Sequence, residues 1–269
     1  MSATLRLLPS TPQLLTKRYY ETLDTAHPLG LGWNQVESVR GWLRASGFIR
    51  QVERSRVGEW ELTNLGVLVA ERDRNLSKAA TWWLIHIRLA SDPDATVYHY
   101  LFSEVAQRPF TRAEARGKIA ACAGGELKPA SIESDVQGIL SSFESGRTRL
   151  ASLGALVVDG EHWSRGAPED LNLAMLAYAL CIVRDRTDPA APSMSLQAIT
   201  ASPVGLQRLF GLGVDAVRIP LRLLGEPLAR YGYSFVETAG LDSVTLGTLD
   251  PLTVARQGYE GNMRDVITP

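Results

Sequence analysis

The sequence predicts a mainly α-helical protein with small β-wings, built as tandem winged-helix (helix-turn-helix) units. Three observations carry that expectation. A glycine-punctuated helix-turn-helix pattern followed by a hairpin pattern fills Gly30 to Leu65. The same order, helices and then a short β element, recurs twice downstream. The 269 residues are 45% hydrophobic with a formal net charge of −1, the balance of a globular chain with room for more than one core.

The elements follow in order. A helix is expected from Pro12 to Leu23 and a turn at Gly30-Leu31-Gly32. Asn34 is placed to cap the next helix, whose apolar positions Val36, Val39, Trp42 and Leu43 fall at helical spacing. Gly47 stands where a left-handed C′ residue ends it. Phe48 to Val52 and Glu59 to Thr63 then read as hairpin strands, with Arg54 and Arg56 at the tip. Thr63-Asn64-Leu65-Gly66 opens a helix through Val69, and Asp73 to Leu76 connect onward.

Ala79 to Ala90 reads as a helix rich in Trp and Leu, and Pro93 starts another that carries Tyr98 to Val105. Thr111-Arg112-Ala113-Glu114 has the form of a capping box for a helix to about Cys122. Gly124-Gly125 break it, and Pro129 or Ser131 opens an amphipathic helix through Phe143. Leu153 to Trp163 reads as a hairpin turning at Asp159-Gly160. A long helix is expected from about Asp170 to Arg184, then a proline-rich break from Asp188 to Pro192. In the last segment Ser195 to Ile199 and Leu206 to Phe210 read as short helical turns. Val214 to Arg230 is amphipathic, Tyr233 to Glu237 pairs with Ser243 to Leu246, and the end from Asp250 is expected to be irregular. The expected division is a DNA-binding unit at 1–76, a helical core with a second winged-helix-like unit at 77–192, and a C-terminal one at 193–269.

A near-neutral chain is no general nucleic-acid coat, so contact with DNA has to come from a local patch. The first helix-turn-helix supplies one. Asn34, Gln35 and Ser38 are types that reach base edges, and Lys17, Arg18, Arg40, Arg44, Arg54 and Arg56 are types that reach phosphates. Trp33 and Trp60 are candidates to stack on an unpaired base. Cys122 and Cys181 lack metal-type spacing, so no disulfide framework or zinc site is indicated. The apolar run from Leu171 to Val183 is interrupted by Asn172 and too short to span a bilayer, and the start lacks a signal-peptide pattern. A cytoplasmic protein without membrane contact is expected.

Strand scission would call for an activated nucleophile and carboxylate-held metal ions, and no such signature stands out. His86, His99 and Glu104 could cluster, although His86 among Trp82, Trp83 and Leu89 reads more simply as a core histidine. Asp92 and Asp94 flank Pro93 and read as caps. Tyr19-Tyr20 offers a phenolic nucleophile only against a stronger packing reading. No phosphate-binding loop is present, so ATP hydrolysis falls to other subunits.

With these motifs in view, the chain resembles the domain of unknown function 4007 family. The resemblance rests on the run from Leu29 to Ile49, on Leu62 to Gly66 with Ala80 to His86, on Ser131 to Val136, and on Glu237 to Leu241. Members accompany DNA phosphorothioation genes and include SspB-like components. The resemblance implies a cytoplasmic antiphage-defence protein that nicks one DNA strand so that sulfur can replace a phosphate oxygen. It also implies partners, an ATPase and a sulfur-transfer enzyme, and a divalent ion such as Mg or Mn if nicking is intrinsic. The residues alone leave open a non-catalytic DNA-binding adaptor or a transcriptional regulator.

Overall fold

A computed structural model of the chain describes residues 33–52, 59–144, 148–238, 241–261 and 263. The expected Pro12–Leu23 helix, the Gly30 turn, Lys17, Arg18, Tyr19, Tyr20, Arg54 and Arg56 lie outside the described residues. The chain divides into two compact units, residues 1–81 and 82–269.

In the first unit, α1 (Trp33–Ala45) is followed by a two-stranded antiparallel hairpin, β1 (Ile49–Gln51) and β2 (Trp60–Leu62), and by α2 (Asn64–Arg72). Val36 and Leu43 of α1, Phe48 and Ile49 after it, and Leu68 and Val69 of α2 are buried and form the core. Asp73 is buried without an ion pair among the described residues, and its carboxylate instead accepts from the Ser77 and Lys78 N–H groups and the Ser77 and Thr81 hydroxyls. Hydrogen bonds of that number offset its desolvation, and they fix the lead into α3 (Ala79–Ser91).

The second unit is built on α7 (Leu173–Thr187), where every residue from Leu173 to Val183 is buried. A helix apolar on all sides belongs at the centre of a bundle. Asn172 caps it, its side chain accepting from the Met175 N–H at 3.0 Å, so it starts later than the expected Asp170. Before it in the chain come α4 (Val97–Tyr100), a π-helical turn at Leu101–Val105, α5 (Arg112–Cys122) and α6 (Pro129–Phe143). The Thr111 capping box is complete, with the Thr111 N–H donating to Glu114 at 2.7 Å. The hairpin β3 (Leu156–Asp159) and β4 (His162–Arg165) follows, turning at Gly160-Glu161.

Three expectations in the last segment are corrected. Ser193–Ser195 is a strand, β5, so the terminal hairpin of β6 (Ser234–Val236) and β7 (Ser243–Thr245) is a three-stranded sheet in the order β5-β7-β6. The helix expected over Val214 to Arg230 stops at Leu223, whose carbonyl would need an N–H that Pro227 lacks. It is the third of the helices α8 (Leu196–Ala201), α9 (Leu206–Phe210), α10 (Val214–Leu223) and α11 (Gly225–Leu228). The tail is not irregular: Asp250 caps α12 (Pro251–Glu260), accepting from the Thr253 N–H at 3.0 Å, with Pro251 in the first turn. That helix packs along α7, where an added Cβ on Gly258 would lie 2.8 Å from the Met175 methyl. Among the described residues no helix is long and apolar enough to cross a membrane.

Candidate nucleic-acid interface

The first helix and hairpin are locked to each other by backbone chemistry. At the end of α1 the Phe48 N–H donates to the Leu43 carbonyl at 2.9 Å and the Gly47 N–H to the Arg44 carbonyl at 2.8 Å. This is the Schellman pattern, and it needs the positive φ of 71° that Gly47 takes. Fully buried Phe48 supplies the apolar contact that accompanies the motif. The Thr63 hydroxyl then donates to the Gly47 carbonyl at 2.6 Å and accepts from the Gly66 N–H at 3.0 Å. One side chain thus ties the end of α1 to the start of α2. The approach is so close that a Cβ on Gly66 would lie 2.0 Å from the Phe48 carbonyl oxygen.

This frame leaves one side of α1 uncovered. Ser38, Gly41 and Arg44, three residues apart in the helix, are exposed, and a Cβ at Gly41 would meet nothing within 4 Å. Arg40 lies at the flank, its guanidinium 5.5 Å from the centre of the Trp60 ring. Trp60 itself is 8% exposed. The expectation that it stacks on a base is therefore overturned, because its ring is covered by the module's own packing. On the hairpin, Arg50 Nε donates to Glu61 at 2.6 Å directly across the strands.

Of the predicted contact residues, Ser38, Arg40 and Arg44 sit on the described surface of α1. Trp33, Asn34 and Gln35 lie in its first turn, so Asn34 is within the helix and does not cap it; their side chains, like Lys17, Arg18, Arg54 and Arg56, lie outside the described set.

The suggested cluster of His86, His99 and Glu104 does not form. His99 Nδ1 meets the Ala90 carbonyl at 2.7 Å, whereas His86 is fully buried, with Nδ1 2.8 Å from the Tyr98 hydroxyl and Nε2 2.8 Å from the Leu209 carbonyl. A carbonyl only accepts, which puts the proton on Nε2 and leaves Nδ1 to accept from Tyr98. Burial holds the His86 pKa down to about 3, with Arg165 adding to the effect against the Leu209 bond. Asp92 caps the turn at Pro93 and pairs with Arg186 at 3.1 Å, as a cap was expected to do. Cys181 is buried and its thiol is pushed up to about 12 by that burial, while Cys122 is exposed.

Arg165 is the polar feature that sequence reasoning missed. Its guanidinium stacks 4.6 Å over Phe102 and donates to the carbonyls of Ala106 (3.2 Å), Leu209 (3.3 Å), Phe102 (3.0 Å) and Arg208. Burial lowers its pKa to about 9, so the charge persists at neutral pH, held at the carbonyl ends of the π-helical turn and α9. Strand alternation could have revealed it: Arg165 shares a strand face with buried Trp163. Among the described residues no three His, Cys, Asp or Glu side chains stand together to hold a metal ion.

Comparison with known proteins adds three findings. The family model described as "Protein of unknown function (DUF4007)" matches residues 10–254. The fold is shared with two solved structures, described as "Magnesium ion-bound SspB crystal structure" (TM-score 0.80) and "SspB crystal structure" (TM-score 0.77). Each is 22% identical, over 97% of this chain and 83% of the other. No curated protein matches the sequence.

Proposed function

The chain belongs to the DUF4007 family, and from that membership together with the uncovered face of α1 we propose that it is the DNA-binding component of a DNA phosphorothioation system. The first helix–hairpin module acts as a winged helix. Asn34, Gln35 and Ser38 approach base edges, Arg40, Arg44, Lys17 and Arg18 approach phosphates, and Arg54 and Arg56 serve the wing. The observation that supports this is the row Ser38, Gly41 and Arg44, two small residues and a cation, exposed on a helix whose C-terminal end is fixed by the Gly47 and Thr63 bonds. A helix with so little bulk on its outer side approaches a groove closely. The helix-then-hairpin segments α5 to β4 and α10 to β7 are read as further winged-helix-like units that meet an ATPase and a sulfur-transfer enzyme.

On this reading the bound strand is nicked, as the resemblance to SspB-like components implies. One SspB structure is described as magnesium-bound, so magnesium or manganese is the ion to supply. No described cluster fits such an ion, and named residues are therefore assigned to binding and none to scission.

The test is supercoiled plasmid with the purified chain, with and without each ion, beside the double substitution Arg40→Ala and Arg44→Ala. Metal-dependent relaxation that the variant loses supports a nickase positioned by α1. Binding without relaxation moves the chain to the adaptor role. Removing one arginine–phosphate interaction should flatten the salt dependence of log affinity by about one unit of slope, and unchanged affinity and slope in the folded variant would exclude α1 as the DNA-binding helix.

A further inference from the structure

The second hairpin has an open edge. Val158 of β3 lies opposite Trp163 of β4, and Leu156 opposite Arg165. Trp163 turns both backbone groups away from β3, its N–H donating to the Phe110 carbonyl at 2.7 Å and its carbonyl accepting from the Phe110 N–H at 2.8 Å. Antiparallel ladders alternate between pairs that exchange hydrogen bonds and pairs that do not. Val158 and Leu156 therefore hold the non-exchanging positions, and their N–H and C=O groups point off the outer edge of β3; Leu156 is buried, so the accessible groups there are those of Val158. The Gly166 N–H, donating to the Ala155 carbonyl, has the parity this assignment requires. Among the described residues no further strand lies along that edge.

What borders the edge is suited to a ligand. An open cavity of about 690 Å³ lies beside it, lined among others by Phe143, Leu156, Val157, Val158, Arg149 and Glu169. Val157 is 46% and Val158 44% exposed, on a strand where proteins commonly place charge to block pairing. The surrounding charge is unbalanced. Among the described residues, Asp159 and Glu161 at the exposed tip and Glu169 in the cavity wall stand against Arg149.

We propose that the outer edge of β3 is a strand-addition site for an extended basic segment of a partner protein. The segment pairs its backbone with Val158 and places an apolar side chain in the cavity over Phe143. Its lysines or arginines meet Asp159, Glu161 and Glu169. Main-chain bonds supply the register and alternate side chains the selectivity. The same carboxylates repel a phosphate backbone, which makes this a protein-binding face.

Val158→Pro tests the backbone claim, because the proline removes an outward N–H and no bond of the β3–β4 ladder. A labelled, alternating lysine–valine peptide is the anisotropy probe. It is expected to saturate on the wild type and to weaken about tenfold on Val158→Pro and on the double variant Asp159→Lys, Glu161→Lys. The same peptide N-methylated at alternate residues and a glutamate–valine peptide are expected not to bind. The N-methylated peptide interrogates the same bonds on the wild-type protein, so a misfolded proline variant does not remove the test. No saturation by about 1 mM, or equal binding of the N-methylated or acidic peptide, overturns the proposal. Dimers in sedimentation that Val158→Pro abolishes would give the edge to a second copy, and displacement of the peptide by duplex DNA would give it to nucleic acid; either overturns it as well.

Discussion

Acid is expected to destabilise this fold through His86. The folded protein keeps the imidazole neutral, its pKa lowered from 6.5 to about 3 chiefly by complete burial. Unfolding returns it to water, where it takes up a proton near its ordinary value. Between those values the unfolded state binds more protons, so the contribution is whole above pH 6.5 and is lost progressively as pH falls toward 3. The slope for one such group is about 1.4 kcal/mol per pH unit, so at about pH 5 the loss is about 2 kcal/mol. Against a typical domain stability of about 5–15 kcal/mol that is a readily measured fraction. Relief inside the fold is blocked, since a proton on Nδ1 would displace the bond from Tyr98 and place a second cation near Arg165. The assay is urea unfolding followed by tryptophan fluorescence at about pH 7 and about pH 5, for the wild type and His86→Gln. Glutamine reproduces the N–H aimed at Leu209 and does not titrate. All carboxylates are common to both proteins, so the difference between their pH dependences isolates His86. Equal dependences would refute the reasoning.

Two further perturbations test the packing. Arg165→Met leaves the Phe102 carbonyl with its bond from Gln107 and the Leu209 carbonyl with His86, but strips the side-chain donor from Ala106 and Arg208. At about 1–3 kcal/mol per orphaned group, urea unfolding should show a loss of about 2–6 kcal/mol, and a change under about 1 kcal/mol would mean water replaces the guanidinium. Gly41→Ala and Gly66→Ala should move the melting temperature in opposite directions. The first fills open space on an exposed helix and gains about 0.5–1 kcal/mol, whereas the second drives a Cβ to 2.0 Å from the Phe48 oxygen and loses about 1–3 kcal/mol. The same sign for both would contradict the close approach of α2 to Phe48.

Local signals were legible wherever the physics is local. The Thr111 box, the Gly47 stop and the Asp92 cap need only neighbouring residues, and each stands where the sequence places it; the second hairpin turns at Gly160-Glu161, one residue past the expected Asp159-Gly160. Strand β5 was hidden because its three residues gain their pairing from β7, about fifty positions on. The tail helix carried its start signals in Asp250-Pro251, yet Gly258 reads as a breaker. Only the packing against Ala174 and Met175 on α7 shows why a glycine is wanted there. The same applies to Trp60, whose type suggests an exposed stacker and whose position beneath Arg40 makes it core.

Helix-then-hairpin order does not by itself name a ligand, and the charges decorating the two modules differ. In the first module the run between the strands holds Arg54 and Arg56 against Glu53 and Glu59, and the helix before it exposes Arg44. In the second, the tip is Asp159-Gly160-Glu161, and α6 exposes Glu133 and Asp135, with Arg116 already paired to Glu133. A polyanion is attracted to the first set and repelled by the second; a basic strand behaves in reverse. If α1 takes DNA and β3 takes a basic strand, as proposed, the two sites are separable. Arg44→Ala should weaken duplex DNA binding and leave the lysine–valine peptide untouched, and Val158→Pro should do the opposite. A folded variant of either kind that binds neither ligand would mean that one surface serves both, and the assignment of opposite partners to the two hairpins would fall.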